Sequence, residues 1–306
     1  MEHIPVLLNE ALTYLNIKPG GIYVDCTLGG GGHSKAILKR LTTGHLYMFD
    51  QDDFAIEKAT ENLKTYAGRF TIIRDNFVNL TAQLNTRDVT KVDGILYDLG
   101  VSSYHFDDPK RGFSYNHDAD LDMRMDQTQP RTAKTIVNTY TYQDIKQLLH
   151  RYADESNAGR IAHHIVKERE TNPIETTFQL VDIIKHALPQ KVLSKKGHPA
   201  KKTFQALRIA VNDELNVFED SLNQAINLLN KDGRVVVISF HSLEDRITKH
   251  TFKAASTTDH PKEIPTMPST TPDYELLTKK IITPTDQETA ENHRAHSAKL
   301  RALKKR

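Results

Sequence analysis

The chain has 306 residues, which is long enough for two domains of ordinary size or for one large domain with an insertion. With 38% hydrophobic and 26% charged residues, its composition is that of a folded globular protein and excludes a largely disordered one. Lys and Arg number 41 against 39 Asp and Glu, a formal net charge of +2, so any attraction to a polyanion must come from local clusters of charge.

The first third of the sequence alternates short apolar runs with amphipathic stretches. The amphipathic stretches predict helices over residues 34–41 and 55–66. The apolar runs predict four strands, at residues 22–26, 45–49, 70–73 and 92–98. Strands separated by helices of this length are joined by right-handed crossovers, and this favours an α/β fold with a mainly parallel sheet that is covered on both faces.

The pattern changes after Asp98, where acids, glycines and serines up to residue 126 indicate a long functional loop. Three predicted helices follow, at residues 142–152, 157–169 and 177–188. Apolar positions at intervals of three and four then predict one long helix from Phe204 to Leu229, before a last strand at 234–238.

These elements predict a wound sheet interrupted by a helical insertion. We expect a discontinuous sheet domain of residues 1–107 and 206–306, with an all-helical domain of residues 108–205 between its parts. Residues 256–275 contain four Pro and seven Ser or Thr, which predicts a mobile surface loop.

Several classes of site and location are disfavoured by the same sequence. Cys26 is the sole cysteine, so an internal disulfide framework is excluded, and no zinc-binding spacing is present, so we expect no metal. Its place in a buried strand predicts a structural thiol. The N-terminus has no basic segment of a secretion signal, and no apolar run approaches the roughly 18 to 20 residues that span a membrane. We therefore expect a cytoplasmic protein without membrane contact.

A glycine-rich loop, Gly29 to Gly32, lies at the carboxyl end of the first predicted strand and opens a helix. Glycines let backbone N–H groups approach a ligand closely, and a helix N-terminus favours electron-rich groups. Asp50 ends the second strand about twenty residues later, where a carboxylate can accept both ribose hydroxyls of an adenosine moiety. The alternative is a tight turn and a surface Asp, but the pair favours a nucleoside cofactor.

Two such cofactors compete, a nicotinamide dinucleotide and S-adenosylmethionine. A pyrophosphate disfavours nearby carboxylates, whereas a cationic sulfonium tolerates them. Acids lie at or near the ends of all four strands, namely Asp25, Asp50, Asp75 and Asp98. This favours S-adenosylmethionine.

Two segments carry further candidate catalytic groups. Asp98 follows the fourth strand, where an acid can accept a hydrogen bond from an amine nucleophile or act only as a strand-end cap. His241 and Glu244 follow the returning strand and should lie over the same edge of the sheet. A Ser-His hydrolase is disfavoured because no GxSxG elbow is present. Phe77, just beyond strand three, can pack on an adenine ring or belong to the core.

Basic residues cluster twice in this nearly neutral chain. No acid occurs between Asp182 and Asp213, and the stretch holds Lys185, Lys191, Lys195, Lys196, Lys201, Lys202 and Arg208. A second cluster comprises Arg294, Lys299, Arg301, Lys304, Lys305 and Arg306. Charge runs are usually solvated faces, but two of them indicate a footprint for a nucleic-acid backbone.

The motifs taken together resemble those of the RsmH (MraW) family of ribosomal RNA methyltransferases. They cover nearly the whole chain in order: HIPVLL from His3, DCTLGGGGHS from Asp25, FDQD from Phe49, GILYDLGVSS from Gly94, RGFS from Arg111, LDMRMD from Leu121, HPAKKTFQALRIAVNDEL from His198, ISFHSLEDR from Ile238 and SAKLR from Ser297. The chain departs from the family pattern at SSYHFD, where SSPQLD is usual, and at Ala153-Asp154-Glu155, where Gly-Glu-Glu is usual.

The resemblance implies a Rossmann-like methyltransferase of the bacterial cytoplasm with an inserted helical, RNA-recognising domain. It implies methyl transfer from S-adenosylmethionine to the N4 amine of a cytidine in the decoding region of 16S ribosomal RNA, within a 30S subunit or a late assembly intermediate. The cofactor contacts that it implies are Gly31, Gly32, His33, Asp50, Phe77, Asp98 and His105. The first of the two departures falls on the His105 segment.

Cytosine N4 is a poor nucleophile, so the site must align it with the methyl group and accept its proton. Asp98 is the first candidate for this role, with His241 and Glu244 as alternatives. The residues predicted to bind RNA are Lys195, Lys196, Lys201, Lys202 and Arg208. Two other functions stay open: an RNA-binding assembly factor that retains the cofactor fold without turnover, and a nicotinamide enzyme. A homodimer is also compatible with the sequence.

Overall fold

The computed structural model describes residues 5–100, 108–257 and 271–306. They form two compact units. The first unit comprises the described residues of Met1–Val101 and Leu215–Arg306, and the second those of Ser102–Glu214. Within these parts of the chain, no helix is long and apolar enough to cross a membrane.

The first unit contains a seven-stranded sheet. Its strands are β1 (Ile22–Asp25), β2 (His45–Asp50), β3 (Phe70–Arg74), β4 (Val92–Asp98), β5 (Leu229–Ser239), β6 (Tyr274–Leu276) and β7 (Lys299–Lys305). The order across the sheet is β3-β2-β1-β4-β5-β7-β6. Strands β1 to β5 pair in parallel, and β7 pairs antiparallel with both β5 and β6. The predicted α/β fold is confirmed, and the two antiparallel strands are an addition that the apolar pattern did not predict.

Helices cover both faces of this sheet. They are α1 (Leu8–Leu15), α2 (Gly32–Leu38), α3 (Asp53–Leu63) and α4 (Leu80–Asn85), and further along the chain α11 (Glu214–Leu228), α12 (Ser242–Ala255) and α13 (Asp286–Glu291). Alternate residues of β5 belong to different apolar clusters: Val236 and Ile238 pack in one cluster with α1 and α2, and Val235 and Val237 in the other with α4 and α11. This alternation explains the continuous apolar run of β5, because a strand covered on both sides needs no polar face.

The second unit is helical in its described part. Its helices are α5 (Ala133–Thr139), α6 (Tyr142–Ala153), α7 (Ala158–Arg169), α8 (Thr177–Ala187), α9 (Gln190–Leu193) and α10 (Lys201–Asn212). Reciprocal capping boxes fix the starts of two of them, Thr141 with Asp144 at α6 and Thr176 with Gln179 at α8. The predicted all-helical domain of residues 108–205 stays a prediction as a separate folding unit.

The single long helix predicted from Phe204 to Leu229 is wrong. The structure has two helices there, α10 and α11, which meet at Asp213. Asp213 has φ +50°, in the left-handed region that ends a right-handed helix. The apolar spacing misled because it continues nearly in phase across the break. The predicted mobile loop at 256–275 lies mostly outside the described residues.

Candidate active site

The glycine loop joins β1 to α2 and is closely packed against its neighbours. Gly31 has φ +78°, and a Cβ added at Gly32 would lie 2.5 Å from Cγ of Pro5. Side chains are therefore disfavoured at Gly31 by conformation and at Gly32 by space. The two glycines thus let the loop turn tightly and pack against Pro5 at the carboxyl end of β1.

Asp50 lies at the end of β2, beside this loop. The backbone N–H of Gly29 donates to Oδ2 of Asp50 at 2.9 Å, and the N–H of Asp52 donates to Oδ1 at 2.9 Å. A carboxylate oxygen can accept more than one hydrogen bond. The two backbone donors therefore fix the orientation of the carboxylate against the loop and leave it able to accept ribose hydroxyls.

Two other strand-end acids serve the fold. Asp25 is buried, and its carboxylate accepts hydrogen bonds from Oγ of Ser34 at 2.6 Å and from the N–H of Thr27 at 3.0 Å. Burial raises the pKa of Asp25, although the hydrogen bond from Ser34 lowers it in part. Asp75 accepts hydrogen bonds from the side chains of Asn79 at 3.0 Å and Gln83 at 2.7 Å. Both carboxylates therefore brace neighbouring elements.

His33 bridges the N-terminal segment and Asp98. Its Nε2 lies 3.0 Å from the carbonyl oxygen of Val6, and its Nδ1 lies 3.4 Å from Oδ2 of Asp98. Burial lowers the pKa of His33, but the hydrogen bond and charge of Asp98, with the charge of Asp25, outweigh burial and raise it. Both ring nitrogens are thus engaged by the protein, so His33 acts on the site by holding Asp98.

Asp98 lies at the end of β4, and one of its two carboxylate oxygens has no hydrogen-bond partner among the described residues. Its backbone N–H donates to Oγ1 of Thr27 at 2.7 Å, and its Oδ2 faces His33. Its Oδ1 is buried and has no hydrogen-bond partner among the described residues. Buried carboxylate oxygens are normally hydrogen-bonded, so this atom marks a point of the site where the described residues leave an acceptor without a donor.

The segment after β5 reaches the same edge of the sheet, as predicted. Strand register pairs Asp98 with Ile238, three residues before His241. The carboxylate of Glu244 accepts hydrogen bonds from the N–H groups of Phe240 at 2.8 Å and His241 at 3.2 Å, so it caps the start of α12. Its Oε1 also lies 3.0 Å from Nε2 of His241, whose Nδ1 is buried without a partner among the described residues.

The remaining predicted contacts of the first unit differ in what the structure shows of them. The ring of Phe77 is partly buried and packs edge-to-face on that of Tyr97, with centroids 5.7 Å apart. Cys26 is buried, and burial raises the pKa of its thiol well above the ordinary value, in agreement with a structural role. His105 lies outside the described residues.

The basic residues predicted to bind RNA lie in the second unit. Four of them are exposed lysines, namely Lys195, Lys196, Lys201 and Lys202. Nζ of Lys202 donates to the carbonyl oxygen of Asp154 at 3.0 Å, just beyond the C-terminus of α6. Arg208 forms a two-pronged ion pair with Glu214, with both N to O distances 2.8 Å and both side chains mostly buried. Its guanidinium is therefore a part of the fold, whatever else it contacts.

The C-terminal basic cluster is engaged within the first unit. Arg301 and Lys299 lie 2.7 and 3.7 Å from the carboxylate of Asp245, and Lys304 lies 2.7 Å from that of Asp232. These three pairs hold β7 within the unit, and the phosphate footprint predicted at this end of the chain stays a prediction.

Sequence reasoning gave no role to three groups that shape the site. These are the hydroxyl of Thr27, which receives the N–H of Asp98, the hydroxyl of Ser34, which donates to Asp25, and the carbonyl of Val6, which holds His33. Two of them lie inside the DCTLGGGGHS motif, so their presence beside the glycines was visible. Their partners depend on side-chain direction, which the spacing did not give.

A parallel sheet whose first strand opens into a glycine loop and whose second strand ends in a carboxylate defines the class of wound α/β proteins that bind nucleoside-containing cofactors. The chain matches the model of the MraW methylase family over residues 1–306, and it belongs to this family. The predicted family and class of enzyme are thereby confirmed.

Curated relatives agree over their full length. The chain is 56% identical over 306 residues to the ribosomal RNA small subunit methyltransferase H of Exiguobacterium sibiricum, covering 99% of this chain and 98% of the relative. It is 54% identical over 309 residues to the protein of the same name from Lactiplantibacillus plantarum, covering 99% and 97%. Among solved structures, an rRNA methylase from Streptococcus thermophilus matches with a TM-score of 0.43 and 10% identity, covering 97% of this chain and 93% of that one.

Proposed function

We propose that this protein transfers a methyl group from S-adenosylmethionine to the N4 amine of a cytidine in the decoding region of 16S ribosomal RNA. Membership of a methylase family and relatives named ribosomal RNA small subunit methyltransferases support the reaction class and the substrate. The observation that carries the assignment of the site is the buried Oδ1 of Asp98 at the carboxyl edge of the sheet, which has no partner among the described residues.

The described residues fit the methyl donor. The methionine portion lies against the tight glycine turn of Gly31 and Gly32, and Asp50 accepts the ribose hydroxyls. Phe77, beyond β3, packs beside the adenine. A site with acids at its strand ends suits a positive sulfonium. When bound, the donor supplies an electrophilic methyl group. The implied contact of His105 with the donor is part of the proposal.

The chain's own residues then orient the amine. Oδ1 of Asp98 accepts a hydrogen bond from cytosine N4. This hydrogen bond aligns the lone pair of N4 with the methyl group, and the same oxygen receives the proton that N4 loses as the methyl group is transferred. His33 and the hydroxyl of Thr27 hold Asp98 in place. Among the alternatives, Oε2 of Glu244 accepts from two backbone N–H groups and its Oε1 lies beside Nε2 of His241, so Nδ1 of His241 is the second candidate for the proton.

RNA recognition falls to the helical insertion in this proposal, with residues 1–107 and 206–306 as the catalytic domain and 108–205 as the recognition domain. The substrate is 16S RNA within a 30S subunit or a late assembly intermediate, in the cytoplasm. Lys195, Lys196 and Lys201 are exposed and lie in a stretch without acids. Such lysines suit phosphate contacts, which dominate affinity for RNA.

The experiment that tests this function is methyl transfer with identification of the product. The purified protein is incubated with methyl-labelled S-adenosylmethionine and with free 16S RNA, immature 30S particles or mature 30S subunits, and the RNA is digested to nucleosides for mass spectrometry. We expect label in N4-methylcytidine from the decoding region. Label in another nucleoside refutes the assignment, and no label on any substrate, despite RNA binding, favours an assembly factor without turnover.

The basic patch has a separate test in the salt dependence of RNA binding. Replacing Lys201 and Lys202 together by Ala should reduce the slope of log K against log salt by about 1.4, because each phosphate contact with a single strand contributes roughly 0.7. The matched control replaces Lys279 and Lys280, an exposed pair in the first unit, and leaves the slope unchanged. Equal slopes for both double variants contradict the patch.

A further inference from the structure

The second unit contains an aromatic stack that is distinct from the residues proposed for catalysis and cofactor binding. The rings of Tyr115 and His198 lie face to face, with centroids 4.3 Å apart and planes 12° from parallel. Phe204, in α10, meets Tyr115 edge-to-face at 5.7 Å. Tyr115 and His198 are both partly exposed, and Phe204 is buried. The stack is therefore anchored in the core at one end and reaches solvent at the other.

The local backbone fixes the position of His198 in this stack. The N–H of Ala200 donates to Nδ1 of His198 at 3.2 Å, which fixes the orientation of the imidazole ring. Gly197, the residue before His198 along the chain, has φ +107°, and a Cβ added there would meet nothing within 4 Å. The space beside Gly197, directly before His198 in the chain, is therefore open, and His198 itself is partly exposed.

The charge around the stack suits a polyanion. Burial lowers the pKa of His198 and the charge of nearby Lys185 lowers it further, so the ring is neutral at pH 7. The segment that carries His198 also carries the exposed Lys195 and Lys196, and α10 begins with the exposed Lys201 and Lys202. No acid occurs anywhere between Asp182 and Asp213. Neutral aromatic rings beside exposed lysines are the usual combination for single-stranded nucleic acid.

We infer that Tyr115 and His198 form a stacking platform for an unpaired nucleobase of RNA, with the neighbouring lysines on the flanking phosphates. This inference rests on the proposed function, since it names how the recognition domain grips its substrate. A base in a duplex already stacks on its neighbours, and so the platform selects a loop or an unpaired strand.

The test compares RNA affinity of the full-length protein and of two single variants. Tyr115→Leu removes the ring, and Tyr115→Phe keeps the ring and removes its hydroxyl. With a short single-stranded RNA carrying one fluorescent 2-aminopurine, we expect Tyr115→Leu to bind about tenfold more weakly, the size of one lost stacked base, and Tyr115→Phe to bind like the unmodified protein. A blunt-ended RNA duplex without unpaired bases should show no difference between the variants.

A second measurement covers the case in which Tyr115→Leu does not fold. The unmodified protein is irradiated in complex with RNA containing 4-thiouracil, and crosslinked peptides are identified by mass spectrometry. Crosslinks at Tyr115 or His198 are expected, and crosslinks found only elsewhere overturn the platform. Equal affinity of a folded Tyr115→Leu variant overturns it as well.

Failure of the platform and failure of the proposed function give different results. If the unmodified protein methylates cytidine while Tyr115→Leu binds RNA normally, the platform is refuted and the function stands. If Tyr115→Leu weakens RNA binding while the unmodified protein methylates no RNA, the platform stands and the function is refuted.

Discussion

Replacing Asp98 by Asn is the most direct perturbation of the site. The amide keeps the shape of the carboxylate but loses its charge and its capacity to accept a proton. In the structure, Oδ2 of Asp98 faces Nδ1 of His33 at 3.4 Å, and Oδ1 has no partner among the described residues. The substitution therefore changes both the orientation of the cytosine amine and the charge of His33.

The expected loss of activity follows from the role of the free oxygen. A positioned general base contributes about 10²- to 10⁴-fold to the rate, so kcat should fall by that factor, which corresponds to roughly 3 to 5.5 kcal/mol of activation free energy. Affinity for S-adenosylmethionine, measured by calorimetry, should fall far less, because Asp50 and the glycine loop are unchanged. Single-turnover transfer of labelled methyl separates the two effects.

A second readout is the pH dependence of stability. Asp98 helps to raise the pKa of His33 above its unfolded value, near 6.5, so this pair contributes stability that is fully present below pH 6.5 and is lost as the pH rises through the folded pKa. A tenfold gain in the proton affinity of the ring corresponds to about 1.4 kcal/mol of stability. The free energy of unfolding of Asp98→Asn should therefore fall furthest below that of the unmodified protein in mildly acidic solution and approach it at higher pH.

Nuclear magnetic resonance titration of His33 checks the same cause directly, and its pKa should fall in Asp98→Asn. Unchanged kcat with unchanged cofactor affinity would show that Asp98 neither accepts the proton nor orients the amine. An unchanged pKa of His33 would refute the coupling between the two side chains.

Two further predictions concern the second unit. Arg208→Ala should lower the free energy of unfolding by about 3 to 5 kcal/mol, because it leaves the mostly buried carboxylate of Glu214 without its guanidinium partner. The double variant Arg208→Ala with Glu214→Ala should lose less free energy of unfolding than the two single variants lose in sum. Urea denaturation of the four proteins measures this coupling, and strict additivity would contradict it. Asn212→Ala should cost about 2 to 3 kcal/mol, since the buried amide donates to the carbonyl of Met123 at 2.9 Å and accepts from the N–H of Met125 at 2.8 Å. Asn223→Ala, at an exposed position of α11, is the control, and an equal loss in both would contradict the prediction.

The parallel strands could be predicted because buried strands have a continuous run of apolar residues in the sequence. Residues 235–238 of β5 are apolar without interruption, as a strand covered on both faces requires. β7 was missed because its buried Leu300, Ala302 and Leu303 alternate with Lys and Arg, so the strand has the composition of a charged tail. Its identity as a strand depends on antiparallel pairing with β5 and β6, which no local window contains.

The site was predictable as a set of strand ends and less so as a set of contacts. Parallel order brings Asp25, Asp50 and Asp98 to one edge, and their spacing indicated this. The structure then gives them different surroundings: Ser34 offsets part of the cost of burying Asp25, backbone donors orient Asp50, and Oδ1 of Asp98 has no partner among the described residues. These differences depend on the direction in which each side chain points at the strand end. The spacing of apolar residues, every two in a strand or every 3.6 in a helix, carries no information about that direction.

The two basic clusters show why charge density alone does not locate an RNA surface. The C-terminal bases are as dense as those before α10. Two of them, Arg301 and Lys304, pair with the carboxylates of Asp245 and Asp232, and these ion pairs hold β7. In the acid-free stretch, Arg208 pairs with the carboxylate of Glu214, which lies beyond the end of that stretch. What distinguishes a surface for phosphates is therefore the absence of acids within reach of the bases. By this criterion we expect the exposed lysines around His198 to contact RNA phosphates more readily than Arg301 and Lys304 do.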